Sequence, residues 1–160
     1  MGHPLLYRDP AKGMTVQKRP HYAGIAVALV ALAAIARLAV AHGNVTPQPV
    51  DTAGLKGLGD AWVTENPYRG DKEQYDKAVE IGDKGYELNC AGCHGLKAIS
   101  GGMAPDLRDL DAGKAGDEWY IGLTRKGILR NGAQKMPAYE GTVSQEAMWA
   151  IRSYIETRPH

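Results

Sequence analysis

The segment Leu88-Asn89-Cys90-Ala91-Gly92-Cys93-His94-Gly95 contains both cysteines of the 160-residue chain, with two residues between them and a histidine directly after the second. No disulfide framework can be built from one such pair. The fold around it has to be organised by an apolar core or by a group that the pair holds.

The periodicity on either side argues for helices. From residue 71 to 88, Tyr75, Ala78, Val79, Gly82 and Tyr86 fall on one stripe at helical spacing, and that helix runs directly into Cys90. Residues 95–116 carry Gly101, Gly102, Pro105 and Gly113 and read mostly as loop. A short helix is expected over residues 117–126, with Asp117 as its cap. A last helix starts near Ser144, buries Ala147, Met148, Ile151, Tyr154 and Ile155, and closes at Arg158-Pro159. No segment shows a convincing strand alternation, so the expected class is all-α, a few helices joined by long irregular segments. Loops of this length are uncommon in a compact domain unless something functional organises them. A bound group at the centre would do so.

The first 41 residues read as an export signal. Lys18 and Arg19 precede an apolar run from Gly24 to Ala36, and Leu38-Ala39-Val40-Ala41 offers small residues for cleavage. The run is short of the roughly 20 residues that a spanning helix needs, and Arg37 interrupts its end, which favours secretion over an anchor. Translation can start at Met1 or Met14 with the same product, a chain beginning at His42. Loss of Arg8, Lys12, Lys18, Arg19, Arg37 and Asp9 leaves 14 Lys+Arg against 17 Asp+Glu, a net charge of −3. That balance argues against a nucleic-acid binder, which needs a basic surface to neutralise phosphates. The expected organisation is a signal at 1–41, an extended Gly- and Pro-rich arm at 42–70, and a domain at 71–160. A free N-terminal His42 could chelate copper through amine and imidazole; the alternative is an ordinary terminal residue, and no second histidine lies near it in sequence.

Three readings of the cysteine pair fall away on context. A thioredoxin-like pair follows a strand, whereas a helix precedes Cys90. A structural zinc site needs four ligands, and His42 and His160 lie far off at the chain ends. Two chance buried cysteines leave unexplained their place beside a Gly-rich loop in an exported chain. What remains is covalent haem attachment: Cys90 and Cys93 are spaced to add across the two vinyl groups of one porphyrin edge, with His94 beneath the iron. A second axial ligand is sought among the methionines. Met148 lies on a core stripe, and Met103, nine residues past His94, reaches round the ring only when nearly extended. Met136, 42 residues past His94 and followed by the stiffening Pro137, is the first choice, with Met103 the alternative.

Over residues 71–157 the chain resembles class I c-type cytochromes. "GDKGYELNCAGCHG" is similar to that family's first helix and haem site, "QKMPAYEG" to its methionine loop, and "MWAIRSYI" to a closing helix that crosses the first near Gly82. "GGMAPDL" is similar to the loop whose proline carbonyl, here that of Pro105, accepts the proton on the far nitrogen of the ligand histidine. The resemblance implies the class I fold around one covalent haem c, with either Trp149 or Tyr154 packed at the crossing. The arm "HGNVTPQPVDTAGL" with "ENPYRGD" resembles small periplasmic cytochromes that accept electrons from quinoprotein alcohol dehydrogenases, which implies such an enzyme as donor and an oxidase or another cytochrome as acceptor.

Ligation by His94 and Met136 would leave no open position on the iron and would suit a single-electron carrier of the periplasm, not an enzyme. A haem sensor or peroxidase-like enzyme with an exchangeable sixth position is the alternative, as is a subunit of a larger respiratory complex. Lys97, Arg108, Lys114, Arg125, Lys126, Arg130 and Lys135 all lie between the haem motif and Met136. They read either as a solvated face or as a basic rim that steers an acidic partner.

Overall fold

A computed structural model describes residues 45–160. The expected export signal at 1–41, the alternative start at Met14 and His42 lie outside the described residues.

Among the described residues, four helices and one hairpin carry the fold. The first helix, α1 (Lys72–Asn89), starts where Asp71 accepts hydrogen bonds from the amides of Glu73 (3.0 Å) and Gln74 (3.2 Å), which satisfies two of the donors left free by a helix N-terminus. Its buried face is Ala78, Ile81, Gly82, Gly85, Tyr86 and Asn89, so the expected stripe shifts toward Ile81, with Val79 only half-buried. A single turn, α2 (Ala91–His94), follows after a break at Cys90. The next stretch is loop with two isolated 3₁₀ turns, Leu96–Ala98 and Leu107–Asp109. Helix α3 (Gly113–Lys126) is followed by strands β1 (Ile128–Arg130) and β2 (Ala133–Met136), and α4 (Gln145–Glu156) closes the domain. The Ser144 hydroxyl accepts from the Ala147 amide (3.2 Å), so the expected cap of the last helix is in place.

The contact between α1 and α4 is the main packing interface of the fold. A Cβ on Gly82 would lie 1.9 Å from the carbonyl oxygen of Ala150, so the absence of a side chain there sets how closely the two helices cross. One turn further on, the rings of Tyr86 and Tyr154 pack with centroids 5.3 Å apart. Tyr154 thus packs on α1, while Trp149 is fully buried and packs against Tyr120 of α3 at 6.3 Å. Their burial, with that of Ala147, Met148, Ala150, Ile151 and Ile155, forms the core.

Two local expectations are corrected. Asp117 does not cap α3, which begins four residues earlier at Gly113. Its carboxylate is buried in the helix and takes both ends of a fork from Arg69 (2.6 and 2.7 Å), the Arg152 guanidinium (2.9 Å) and the Asn66 amide (2.8 Å). Burial opposes its ionisation, but these donors outweigh it and hold the carboxyl below its usual range. The second correction is the hairpin between α3 and Met136. Its turn is Asn131-Gly132 with φ of 53° and 74°, the two left-handed residues of a tight hairpin turn. That Asn-Gly signal was present in the sequence; the strands are too short to show alternation.

The arm lacks regular secondary structure from residue 45 to 70 and is held by side chains of the helices. The amides of Lys56, Leu58, Val63 and Asn66 donate to Gln74, Glu146, Gln145 and Asp117 respectively. Among the described residues, no helix is long and apolar enough to cross a membrane.

Candidate functional site

The break between α1 and α2 sets the geometry of the motif. Cys90 still closes α1, donating its amide to Tyr86 (2.8 Å), while its own carbonyl accepts from Cys93 (3.1 Å) and His94 (2.9 Å). The turn so formed keeps both thiols free, each partly exposed, and carries the His94 ring just past them. Burial pushes the Cys90 thiol up to about 12, with the nearby Cys93 adding to the effect, so it is held as S–H.

His94 meets the loop on its far side. Its Nδ1 lies 2.9 Å from the Pro105 carbonyl, which can only accept, so Nδ1 carries the proton and Nε2 is the ring nitrogen left for a ligand. That carbonyl sits in a braced loop. The Ser100 hydroxyl donates to the Ala104 carbonyl (2.5 Å), the Ser100 amide donates to Asp106 (3.1 Å), and Arg108 grips Asp106 from its own side (2.8 and 2.9 Å). The guanidinium holds the Asp106 carboxyl well below the usual carboxylate range.

Cys90, His94, Pro105 and Leu107 line an apolar cleft. Trp119, Tyr120, Leu123 and Thr124 of α3, with Ile128, Met136 and Tyr139, complete its lining. Met136 is half-buried at the end of β2, which follows the tight turn and not the loop expected for it. Gly127 makes this approach possible: its φ of 68° and ψ of −173° suit glycine alone, and a Cβ there would lie 2.5 Å from the Met136 carbonyl. The other two methionines are placed elsewhere. Met103 is 69% exposed, and Met148 is buried in α4 as a core residue.

Of the residues singled out in the sequence, Cys90, His94, Pro105 and Met136 therefore line one cleft, and Cys93 lies on the adjoining turn. The aromatic lining was not foreseen. Tyr139 stands three residues after Met136, and nothing in its local pattern distinguishes it from a loop tyrosine. Among the described residues, no group of three or more His, Cys, Asp or Glu is arranged to hold a bare metal ion. An apolar cleft lined by Cys90, a free imidazole nitrogen and a thioether, with Cys93 on the adjoining turn, suits a porphyrin bound through its rim and its iron.

Comparison with known proteins agrees with the class this site defines. Residues 77–155 match the family described as cytochrome c oxidase, cbb3-type, subunit III. Over 123 residues the chain is 54% identical to cytochrome c550 of Pseudomonas aeruginosa, covering 77% of this chain and 85% of that one. More distant similarity links it to two much longer proteins. The quinohemoprotein alcohol dehydrogenase ADH-IIG of Pseudomonas putida is 34% identical over 83 residues, 52% of this chain and 11% of that protein. The dehydrogenase subunit of an alcohol dehydrogenase (quinone) of Gluconobacter oxydans is 36% identical over 73 residues, 46% of this chain and 9% of that protein. No solved structure gives a significant match. The chain belongs to the cytochrome c family. It is an electron carrier with covalently attached haem c, and its working contacts are with redox partners.

Proposed function

We propose that this protein is a mono-haem, single-electron carrier of the periplasm that accepts electrons from a quinoprotein alcohol dehydrogenase. In this reading Cys90 and Cys93 would hold the haem covalently, each thiol S–H adding across one vinyl group without net oxidation, and His94 Nε2 and the Met136 thioether sulfur would hold its iron. Pro105 fixes the imidazole plane and tautomer through its hydrogen bond to Nδ1, which also makes Nε2 a stronger donor. Bound haem supplies one-electron chemistry at iron, and a thioether ligand favours the reduced state and raises the potential.

The observation that supports this reading is that His94 and Met136 line one apolar cleft together with Cys90. It favours Met136 over Met103, whose side chain is in solvent. The donor assignment is supported by the similarity to two quinone-dependent alcohol dehydrogenases. The structure also narrows the basic rim. Arg108, Lys114 and Arg125 are paired with Asp106, Glu65 and Glu140. Lys97, Lys126, Arg130 and Lys135 are exposed and, among the described residues, form no ion pair, so they are the charges available for steering.

The test uses the purified holoprotein. Met136→Ala is expected to abolish the far-red absorption band of thioether-ligated ferric haem and to let carbon monoxide bind the ferrous form, whereas Met103→Ala changes neither. The reverse outcome refutes the ligand choice. Mixed with a quinoprotein alcohol dehydrogenase and its alcohol, the oxidised protein should be reduced rapidly. The rate should fall as salt rises, since a Debye length of about 10 Å at 0.1 M screens the rim. Lys126→Glu with Lys135→Glu should slow reduction without altering the spectrum. Failure of every such dehydrogenase, beside rapid exchange with another donor, rejects the partner and leaves the carrier reading standing.

A further inference from the structure

The segment that carries Met136 is held to the rest of the domain from two sides. On one side the amides of Tyr139 and Glu140 donate to the carbonyls of Thr124 and Arg125 at the end of α3 (3.1 and 3.4 Å). These bonds fasten the segment to α3 but do not tie it to the cysteine turn. On the other side the Tyr139 hydroxyl donates to the carbonyl of Asn89 at 2.6 Å, a contact between residues 50 apart in sequence. Asn89 is the residue immediately before Cys90. This bond therefore ties the methionine segment to the residue that leads into the cysteine turn.

Both ends of that bond are fixed. Tyr139 is 4% exposed, and burial raises its phenol pKa well above the ordinary tyrosine value, so it remains a donor. Asn89 is 3% exposed and is pinned through its own amide group, which accepts from the Gln48 amide (2.8 Å) and donates to the carbonyls of Gln48 (3.1 Å) and Gly85 (3.2 Å). A methionine sulfur is a weak ligand on a flexible side chain. How long it stays on a metal depends on how firmly its backbone is kept within reach.

We infer that Tyr139 is a positioning residue for the sixth ligand: its hydroxyl, tied to the Asn89 carbonyl, locks the Met136 segment against the haem-attachment turn and limits how often the methionine leaves. The inference rests on the assignment of Met136 as ligand. Opening of the methionine segment has to break this bond first and leaves a buried carbonyl without its donor.

The experiment measures how fast imidazole displaces the sixth ligand of the ferric holoprotein, followed by loss of the far-red band. Tyr139→Phe retains the ring and removes the bond; displacement should become roughly tenfold faster, the size expected for one buried hydrogen bond. Asn89→Ala, which loosens the post and leaves the phenol, should give a smaller increase and serves if the first variant fails to mature. Tyr68→Phe is the comparison, because its hydroxyl donates to the Lys56 carbonyl (3.2 Å) within the arm. It should lower thermal stability and leave the displacement rate unchanged. If Tyr139→Phe loses stability as Tyr68→Phe does but exchanges ligand at the wild-type rate, Tyr139 is only a core residue and the inference fails alone. If Met136→Ala keeps the far-red band, the ligand assignment fails and takes the inference with it.

Discussion

Gly82→Ala adds a single methyl group where α1 and α4 cross, and the surroundings of that methyl group fix its effect. The new Cβ would lie 1.9 Å from the Ala150 carbonyl oxygen, 2.5 Å from its carbon and 3.0 Å from the Ile151 nitrogen. All three atoms are backbone, so no rotamer change relieves the overlap. An ordinary contact needs more than 1 Å of extra separation, which moves whole helices and opens the Tyr86–Tyr154 contact and the packing of Ala78 and Ile151. Overpacking in a rigid core costs about 1–3 kcal/mol and more where backbone must move, while replacing glycine inside a helix returns about 0.5–1 kcal/mol. A net loss of about 3 kcal/mol is expected, or a fall in Tm of roughly 10–15 °C for a domain of this size. Gly122→Ala is the internal comparison, since its Cβ meets nothing within 4 Å on α3 and should keep the helix gain alone. Thermal unfolding of the two holoproteins by circular dichroism reads both. A Gly82→Ala protein melting within about 2 °C of the wild type would refute the claim that this crossing is backbone-limited.

Asp117→Asn should destabilise the domain by about 3–5 kcal/mol, the range for breaking a buried ion pair, because Arg69 and Arg152 lose their common acceptor. The native Asp117 carboxyl is held below its unfolded value near 4. Its contribution is therefore complete above that pH and is lost as pH falls through the lower, folded value. Urea unfolding from pH 7 to pH 3 should accordingly show the wild type and the variant converging at the acid end. Gly127→Ala should strain a glycine-only conformation and push on the Met136 carbonyl, weakening the far-red band more than the overall helicity. Cys90→Ala with Cys93→Ala should abolish covalent haem, read by mass, and leave a chain lacking cooperative unfolding, because the long loop between α2 and α3 has few apolar contacts of its own.

The helices that carry an apolar stripe were legible in the sequence, and Ser144 marked the start of α4 as its cap. So were the motif Cys90, Cys93 and His94 and its place at the end of a helix. What escaped depends on distance along the chain. Asp117 looks like a helix cap until Arg69, 48 residues before it, and Arg152, 35 residues after it, are brought to it by the fold. Tyr139 acquires its partner only when Asn89 arrives from 50 residues away. The hairpin escaped for another reason: three- and four-residue strands carry too little alternation, and the Asn131-Gly132 turn was the one local signal.

The arm's anchoring sets an order of assembly. Leu58 and Val63 donate their amides to Glu146 and Gln145, acceptors that lie 88 and 82 residues further along the chain. A chain that emerges from its N-terminus first cannot dock this stretch until α4 has been made and has crossed α1. Until then the arm has neither of these acceptors. The last helix therefore acts as a closing step in time as well as in space: a stretch made well before it is fastened only once it is in place.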